Sequence, residues 1–544
     1  MKKKTTLFIL TLLSLYSNSQ NFSIVLGRPT DQAITASILF DINASYYLVY
    51  GTQSNNYNDS TAIGQLSADI PIESDISGLI PNQRYYYRMR YKGNSQSTYQ
   101  STPEYCFHTQ RANGESFTFT LEADEHLYDK KGVDNMYRIT LANQAADNPD
   151  FMLSLGDIFG DDHTPDETTN GAMDSLHRDY RPFLGEICHS VPFYVCLGNH
   201  EGENDFYLNN NPPYNIGVYG TMARKKYYPN PYPNNFYTGN QSAEGYGMDN
   251  PENYYAWNWG NALFVVLDVY RTECKDSLVA KPQGWNWTLG EEQYNWLLST
   301  LQNSTATHKF VFAHHVRGQG RGGILEAQLY EWGGYQNLNG NNTFSIYRPG
   351  WPMSIQDMFV QYGVNIFFQG HDHVFAHEVL GGVTYQSLPM AADSTYQIGM
   401  LANADAYTTD TVDGTGHIRV KVSSDCIKVD YIKAYLPADT LSGLHHNREI
   451  GFSYTIGTCI DPSSVGENKV SNWKIFPNPS TDFCYLVSES NHPIDGVVFY
   501  DQLGQKVLKT RFTKIDISSL SSGIYTVEII SNDLKEFSKL IIQK

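Results

Sequence analysis

Charged residues, cysteines and long apolar runs are all scarce in this sequence. Asp, Glu, Lys and Arg make up 17% of the 544 residues, and 38 basic residues face 57 acidic ones. The net charge of −19 argues against general binding to nucleic acid or anionic membranes, since both need excess positive charge. Seven cysteines are too few for a disulfide-built scaffold. Cys188 and Cys196 lie close in sequence, which allows either a disulfide bond between them or buried free thiols.

The N-terminus has the layout of a secretory signal peptide, which we place at residues 1–19. Three lysines at 2–4 precede a short apolar run at 7–15, and small residues follow at 17–19. The run is far shorter than the ~20 residues that cross a bilayer. No later stretch is long and apolar enough to do so either. We therefore expect an exported chain without a membrane span.

Residues 21–111 are typical of an all-β sandwich with short strands. Stretches that alternate apolar and polar residues are separated by turns rich in Asn, Ser and Gly. The predicted strands are 22–27, 34–40, 46–50, 83–91 and 105–109. Residues 79–85 resemble the tyrosine corner of fibronectin type III-like domains, in which a hydroxyl such as that of Tyr85 bonds back to the backbone.

Between residues 115 and 457, apolar strand-like runs alternate with helical patterns, which indicates a layered α/β core. The runs are 117–121, 151–155, 193–197, 263–267, 310–313 and 364–368. Thr288 and Glu291 have the spacing of a capping box, which predicts the start of a helix. Residues 202–258 are rich in Asn, Tyr, Pro and Gly and predict a long ordered loop. Its basic residues 224–226 either reach the rim of a site or are surface charge.

Residues 458–472 are typical of a linker, and residues 473–544 of a small all-β domain. The latter contain Phe-Pro-Asn-Pro at 476–479, Leu-Gly at 503–504 and Leu-Ser-Ser-Gly-Ile-Tyr at 520–525. In order and spacing these motifs resemble the C-terminal sorting domain of type IX secretion systems. The resemblance implies the type IX secretion machinery as a partner and a secreted or cell-surface protein. A small adhesive sandwich is the alternative.

Polar side chains of ligand type follow five of the apolar runs in the α/β region. In open α/β sheets, sites lie outside the carboxyl ends of the strands. Each short motif alone is a weak signal, but five in this order predict one shared site. In chain order they are Asp124-Glu125-His126, Gly156-Asp157, Gly198-Asn199-His200-Glu201, His314-His315 and Gly370-His371-Asp372-His373.

This series of motifs resembles the calcineurin-like metallophosphoesterase superfamily, over residues 115–435. The resemblance implies a four-layer α/β sandwich, in which helices flank two mixed sheets, and a centre with two metal ions. Imidazole, carboxylate and carboxamide donors suit borderline divalent cations, so we expect Zn, Mn, Fe or Co. The predicted metal ligands are Asp124, His126, Asp157, Asn199, His314, His371 and His373.

The superfamily pattern also implies how the ligands divide between the two ions. One ion takes Asp124, His126, Asp157 and His373, and the other takes Asp157, Asn199, His314 and His371. Seven donors fill eight positions because the carboxylate of Asp157 bridges. A hydroxide held between the ions then attacks phosphorus in line. Purple acid phosphatases lack the histidine of Asp-x-His and carry Tyr three residues after Gly-Asp. Here His126 and Gly160 stand at those places, so ferric iron is not required.

Further roles follow from the same resemblance. The histidine after the Asn ligand helps the leaving group to depart, so His200 is a predicted catalytic residue together with the bridging Asp157. His314 and His315 compete for one ligand position. His314 comes first after the strand and is preferred, which leaves His315 to face the substrate. The guanidinium of Arg317 suits a bidentate phosphate contact.

These observations predict a secreted, metal-dependent phosphoric-ester hydrolase, with phosphomonoesters as the preferred substrates. A phosphodiesterase or nucleotidase on the same core is the first alternative, because the strand tips do not distinguish monoesters from diesters. The second is a catalytically inactive secreted binding or adhesion protein. The complete set of seven ligands favours the enzyme. Nucleic-acid binding is not expected at this net charge.

Overall fold

The computed structural model describes residues 22–128, 131–158, 164–209, 215–271, 284–317, 320–397, 406–407, 411–459, 473–488, 494–502, 504–531 and 534–544. The predicted signal peptide, residues 460–472 of the predicted linker, Gly160 and Leu503 lie outside the described residues. The chain divides after Cys459 into two compact units, and each is described by itself. No helix in the described ranges is long and apolar enough to cross a membrane.

The N-terminal region is a sandwich of two antiparallel sheets. Its strands are β1 (Phe22–Gly27), β2 (Ala33–Phe40), β3 (Ala44–Gly51), β4 (Asp59–Ser60), β5 (Gly64–Leu66), β6 (Ile72–Ser77), β7 (Arg84–Gly93), β8 (Gln100–Ser101) and β9 (Tyr105–His108). One sheet has the order β1-β2-β6; the other has the order β4-β3-β7-β8, with β5 on β3 and β9 on β7. The backbone N–H of Ile80 donates to the Tyr85 hydroxyl at 2.9 Å. The predicted tyrosine corner is therefore confirmed.

The rest of the first unit alternates strands with helices. Its strands are β10 (Phe117–Glu122), β11 (Phe151–Ser154), β12 (Phe193–Val195), β13 (Thr238–Gly239), β14 (Tyr255–Trp259), β15 (Ala262–Val266), β16 (His308–Phe312), β17 (Ile366–Gln369), β18 (Phe375–Leu380), β19 (Val383–Ser387), β20 (Thr411–Val412), β21 (Gly416–Val422), β22 (Cys426–Lys433) and β23 (Ile450–Gly457). Its helices are α1 (Asp134–Ala146), α2 (Asn170–Gly185), α3 (Ile216–Tyr227), α4 (Gly290–Asn303), α5 (Tyr330–Gly333), α6 (Phe344–Tyr347) and α7 (Ile355–Tyr362). All six predicted runs coincide with strands to within two residues at each end.

These strands form two mixed sheets that face each other. The first has the order β12-β11-β10-β21-β22-β23, and the second β13-β14-β15-β16-β17-β19-β18-β20. Aromatic rings on the inner faces meet between the sheets. The ring of Phe119 on β10 lies 5.1 Å from that of Phe264 on β15 and 5.2 Å from that of Phe310 on β16. Burial of these large rings is the main force that holds the sheets together.

Helices cover both outer faces of this pair of sheets. Tyr137 of α1 and Leu184 of α2 pack with Met152 of β11 on one side. Leu297 of α4 and Phe359 of α7 pack in the cluster that covers the second sheet on the other side. The expected four-layer architecture, with an N-terminal β-sandwich before it, is therefore confirmed.

The predicted capping box before α4 is wrong, because the hydrogen bonds at the start of this helix differ from those of a capping box. The helix begins at Gly290, two residues after Thr288. The Thr288 hydroxyl accepts from the backbone N–H of Gly290 at 3.0 Å and donates to the Glu331 carboxylate at 2.6 Å. Glu331 also accepts from the N–H of Leu289 at 2.8 Å, so a residue 40 positions along the chain supplies part of the cap.

A buried arginine joins the N-terminal sandwich to the α/β region. Arg181 of α2 is fully buried, and its guanidinium donates to the Ser37 hydroxyl at 2.8 Å, the Ser37 carbonyl at 2.9 Å and the Ser23 hydroxyl at 3.2 Å. The Tyr87 hydroxyl adds a bond of 2.6 Å to the carbonyl of His189. The sandwich thus packs against α2 and β12, with Val25 of β1 in the same buried cluster as Phe193 of β12.

The segment 202–258 contains α3 and is tied down by a buried ion-pair network. Arg224 is 1% exposed, and its guanidinium contacts both carboxylate oxygens of Glu203, at 2.7 and 2.9 Å. Arg271 lies 3.7 Å from the same carboxylate. The hypothesis that Arg224 reaches the rim of the site is therefore wrong, since its charge is used inside the fold. Lys226 pairs with Asp174 on α2.

The second unit is a small β-sandwich. Its strands are β24 (Trp473–Phe476), β25 (Phe483–Ser488), β26 (Gly496–Tyr500), β27 (Lys506–Thr510), β28 (Lys514–Asp516), β29 (Gly523–Ser531) and β30 (Leu534–Ile542). A three-stranded sheet has the order β24-β25-β28, and a four-stranded sheet the order β27-β26-β29-β30. Phe499, Val527 and Leu540 belong to the core between them.

The described cysteines include one disulfide, between Cys426 and Cys459. It ties the first residue of β22 to the segment that follows β23. Cys188 and Cys196 are buried and free. The structure therefore has free thiols at Cys188 and Cys196, and not the disulfide bond that was the other alternative.

Candidate metal centre

The predicted metal ligands lie at one edge of the two facing sheets. Strands β10, β11 and β12 run parallel in the first sheet, and β15, β16 and β17 run parallel in the second. Their carboxyl ends therefore point the same way within each sheet. Asp124, Asp157 and Asn199 follow the three strands of the first sheet, and His314 and His371 follow β16 and β17 of the second.

The side chains converge in two groups, each of which offers ligand atoms within 4.8 Å of one another. One group is Asp124, His126 and His373, and the other is Asp157, His314 and His371. All six residues are at most 6% exposed. The superfamily resemblance implies the same division of these six residues between two ions. The structure thus brings together residues that are separated by up to 249 positions.

The two groups adjoin across Asp157. Its Oδ2 lies 3.2 Å from His314 Nε2, in its own group, and 3.9 Å from His126 Nε2, in the other. Asp124 Oδ1 lies 3.5 Å from His373 Nε2 and 3.8 Å from His314 Nε2. Both carboxylates therefore lie within 4 Å of a histidine from each group.

Two ligand atoms in the cluster have no hydrogen-bond partner among the described residues, and two imidazole nitrogens lie close together. Asn199 Oδ1 and His371 Nε2 are buried and make no hydrogen bond with any described residue. The Nε2 atoms of His126 and His373 lie 3.0 Å apart. Buried polar atoms are normally paired, and imidazole nitrogens that converge on one point are typical of metal ligands. The residues therefore fit a pair of divalent cations.

The backbone at these positions is in the left-handed region, which non-glycine residues seldom adopt. The φ angle is +57° at Asp124, +48° at His126, +61° at Asp157, +67° at His371 and +55° at His373. Such conformations persist where surrounding contacts fix them and cluster at functional sites. Two carboxylates supply such contacts. Asp124 Oδ2 accepts from the N–H of His371 at 2.9 Å, and Asp157 Oδ1 accepts from the N–H of His200 at 2.8 Å.

Glu201 has a role that the sequence did not reveal. Its carboxylate is 2% exposed and accepts from the backbone N–H groups of Asp157 at 3.0 Å, Ile158 at 2.6 Å and Gly198. It thereby ties the loop after β11 to the loop after β12. Burial raises the pKa of Glu201 to about 7. The only sequence signal was its place directly after Asn199 and His200.

Opposite charges set the protonation of the cluster. Burial opposes ionisation of Asp157, but His314 and His200 outweigh it and hold its pKa well below the usual range. Asp124 has a lowered pKa because His373 and His314 outweigh its burial in the same way. Burial lowers the pKa of His314, but Asp157 and Asp124 overcome this and raise it to about 9. Two ionised carboxylates are therefore held in the buried cluster.

His200 is more accessible than the ligands beside it. Its side chain is 22% exposed, against 2% for that of Asp157, and its Nε2 lies 4.0 Å from Asp157 Oδ2. Its ring lies 5.4 Å from that of His126 and 6.1 Å from that of Tyr128. His200 therefore stands between the buried cluster and solvent, where a substrate would enter.

The two predicted substrate contacts are engaged elsewhere in the fold. His315 is fully buried; its Nε2 lies 3.1 Å from the Gly322 carbonyl, and its Nδ1 accepts from the N–H of Arg317 at 3.4 Å. Burial lowers the pKa of His315 to about 4. The Arg317 guanidinium pairs with Glu326 at 2.7 Å and lies over the ring of Tyr330. Contact of His315 and Arg317 with substrate stays a prediction.

A second arginine in the same loop supports the ligand loop after β17. Arg321 donates to the carbonyl of His371 at 2.7 Å and to Asp372 Oδ1 at 3.1 Å. Asp372 is fully buried and also accepts from the Tyr407 hydroxyl at 2.6 Å. This network was not predictable from local sequence, because Arg321 lies some 50 residues from the loop that it holds.

Comparison with known proteins agrees with this geometry. Residues 117–375 match the family model of calcineurin-like phosphoesterases, and residues 474–543 match that of the secretion system C-terminal sorting domain. PhoD has a similar structure, with a TM-score of 0.54 and 16% identity over 80% of this chain and 90% of that one. So has the purple acid phosphatase PPD1 of yellow lupin (Lupinus luteus), with a TM-score of 0.53 and 14% identity over 80% and 74%. No curated protein sequence matches the chain.

The α/β region is thus a metal-dependent phosphoesterase domain, a hydrolase of ester bonds. More particularly, it matches the calcineurin-like phosphoesterases over residues 117–375. The type IX sorting domain at the C-terminal end marks the protein for export to the cell surface or the medium.

Proposed function

We propose that the protein is a secreted two-metal phosphoric-ester hydrolase that prefers phosphomonoesters. The observation that carries this proposal is the pair of buried ligand groups that adjoin at Asp157. The preference for monoesters has a weaker basis, the phosphatase among the similar structures. We also keep the predicted division into a sandwich at 21–111, a catalytic domain at 115–457, a linker at 458–472 and a sorting domain at 473–544.

The ligand assignment in this proposal follows the two groups. One cation would be held by Asp124, His126, Asp157 and His373, and the other by Asp157, Asn199, His314 and His371. Asn199 completes the second set because its buried Oδ1 has no hydrogen-bond partner among the described residues. When bound, two divalent cations supply Lewis acidity towards the phosphoryl oxygens and an activated water.

The chain's own residues supply the proton and the geometry. Hydrolysis breaks the bond between phosphorus and the leaving oxygen, which must gain a proton as it departs. His200 donates that proton from Nε2, the atom that faces Asp157 at 4.0 Å. Glu201 keeps Asp157 and Asn199 in register through its three backbone contacts.

A direct test uses the full chain with p-nitrophenyl phosphate and with bis(p-nitrophenyl) phosphate. Each is assayed with Mn²⁺ or Zn²⁺, before and after chelation. We expect faster turnover of the monoester and loss of activity on chelation, with recovery when metal is returned. Faster turnover of the diester would replace the monoester preference with the phosphodiesterase alternative. No activity on either ester and no bound metal would refute the proposal and favour a binding protein.

Variants separate the ligand role from the proton-donor role. We expect Asn199→Ala to abolish turnover and lower the metal content per chain measured by elemental analysis. Asp157→Ala should lose both ions. His200→Ala should keep both and lower kcat by about 10²–10⁴. His445→Ala, whose side chain is half exposed and lies outside the cluster, is the matched control and should behave as wild type. Loss of metal from His200→Ala would show that His200 is a ligand and not the acid.

A further inference from the structure

A second concave site lies at the opposite edge of the second sheet. It is a groove of about 1050 Å³, formed within the first unit. Its floor is the outer face of β14 and β15, where Ala256, Asn258 and Leu263 point away from the inner core. Asn261 and Thr307 line it just before β15 and β16 begin. The candidate metal centre lies at the other, carboxyl ends of these strands, so the groove is a separate site.

Three further parts of the chain form the walls of this groove. Helix α4 contributes Trp296 and Asn303, the connection between the sandwich and the α/β region contributes Gln110, and β13 contributes Thr238. Contacts across the groove fix these walls. Gln110 Nε2 donates to the carbonyl of Asn258 at 2.9 Å, and the Trp296 indole N–H donates to the Thr238 hydroxyl at 3.3 Å. The site is therefore built by the fold and not by one mobile loop.

The chemistry of the lining is unusual for a surface groove. Thirteen of the described lining residues carry an uncharged amide or hydroxyl group, and Asp425 is the only charged one among them. Amide and hydroxyl groups both donate and accept hydrogen bonds. No lysine, arginine or histidine among the described lining residues is present to hold a phosphate or a carboxylate. Aliphatic surface is limited to short stretches such as Leu263, which does not suit a lipid.

Three aromatic residues line this polar groove, of which Trp257 is almost fully buried and Phe236 and Trp296 are partly exposed. Trp296 is half-buried, with its ring 4.9 Å from that of Tyr254, which limits its movement. A fixed indole offers a broad apolar surface at little cost in side-chain entropy. Asn261 adds a buried Oδ1 that accepts no hydrogen bond from a described residue, although its Nδ2 donates to the carbonyl of Ser424 at 3.1 Å. The groove thus combines a flat apolar surface with many groups that match hydroxyls.

We infer that this groove binds a neutral oligosaccharide. A sugar ring has hydroxyls that donate and accept, and a C–H face that packs on an aromatic ring, which together match the lining. A volume of about 1050 Å³ exceeds that of a typical drug-sized pocket and suits several linked sugar units. An exported phosphoesterase with such a groove would be held near glycans of a cell surface while its metal centre stays free.

The test is binding of neutral oligosaccharides to the full chain. Hexamers of α1,4- and β1,4-glucose, β1,3-glucose, β1,4-xylose and β1,4-mannose are titrated by calorimetry and by tryptophan fluorescence. We expect saturable binding of at least one hexamer, at least tenfold weaker in Trp296→Ala and in Asn258→Ala. Turnover of p-nitrophenyl phosphate should not change in either variant, because both positions are remote from the metal centre. Tyr246→Ala, an aromatic residue 60% exposed and outside the groove lining, is the control and should bind as wild type.

Three results would overturn the inference. The first is no saturable binding of any hexamer to the wild-type chain. The second is equal binding by wild type and Asn258→Ala, which changes a side chain exposed in the groove and should fold normally. The third is tighter binding of an acidic oligosaccharide, such as a galacturonic acid hexamer, than of every neutral one. Each result is independent of whether the metal centre is active.

Discussion

The Asp147 carboxylate offers a quantitative test of how the first unit is held together. Asp147 ends α1 and is almost fully buried. It accepts from His417 at 2.8 Å, from Arg419 at 2.9 Å and from Arg448 at 2.6 Å. The carboxylate lies at the negative end of the helix dipole, which is unfavourable by itself. The three partners on β21 and beyond must therefore outweigh both burial and the dipole.

Burial opposes ionisation of Asp147, but His417 and Arg419 outweigh it and lower its pKa to about 2. Against an ordinary aspartate pKa of about 3.9, this corresponds to about 2.6 kcal/mol of stability at neutral pH. The Arg419 side chain is 14% exposed, so solvent screens part of its share. We therefore expect Asp147→Asn to lower the free energy of unfolding of the first unit by about 1.5–2 kcal/mol at pH 7.

The sign of the pH dependence follows from the lowered pKa. The stability that Asp147 contributes is fully present above the unfolded pKa of about 4, and it is lost as the pH falls through about 2. The difference between wild type and Asp147→Asn should therefore be full at pH 7 and about half as large at pH 3. Urea unfolding followed by tryptophan fluorescence at both pH values measures it. Asp179→Asn, with a side chain 76% exposed, is the matched control. The reasoning fails if the difference is the same at both pH values, or if the control variant loses as much stability.

Two further changes test other buried contacts of the first unit. Arg224→Met leaves the buried Glu203 carboxylate with the Thr221 hydroxyl at 2.8 Å and the Arg271 guanidinium at 3.7 Å, and should lower the free energy of unfolding by about 3–5 kcal/mol in urea titrations; a loss below 1 kcal/mol would mean that the pair is not buried as described. Replacing both Cys426 and Cys459 by serine opens a loop of 33 residues and should cost about 3–4 kcal/mol on the chain-entropy argument. Reduction of the wild type should lower its stability by a similar amount, and no difference between the oxidised and reduced chains would contradict the expected bond.

The fold of the α/β region was predictable because its central strands are buried on both faces. Such strands are continuous apolar runs, and polar residues of ligand type marked where five of the six runs end, as Asp124 does after β10 and His371 after β17. The start of α4 was predictable only approximately. Its cap depends on Glu331, whose approach to Thr288 is decided by the tertiary packing.

Contacts between distant residues account for what the sequence did not reveal. Arg224 resembles surface charge in the sequence, since nothing nearby shows that Glu203 will lie buried beside it. The bond between Cys426 and Cys459 depends on the pairing of β22 with β23. The groove that contains Trp296 was likewise not predicted, because its walls come from segments that are separated by more than 100 residues.

The support around the candidate metal centre has a common physical reason. Two buried carboxylates, Asp124 and Asp157, repel each other, and four imidazoles bring lone pairs towards the same small volume. Left to local preferences, loops with positive φ at five ligand positions would relax away from this arrangement. The contacts of Glu201 on one sheet and of Arg321 on the other are to backbone groups of the ligand loops. These contacts fix the positions of the loops and do not involve the side-chain atoms that converge in the cluster. Parallel strands set the approximate place of each ligand, and these backbone contacts hold the loops in the strained form in which the ligands converge.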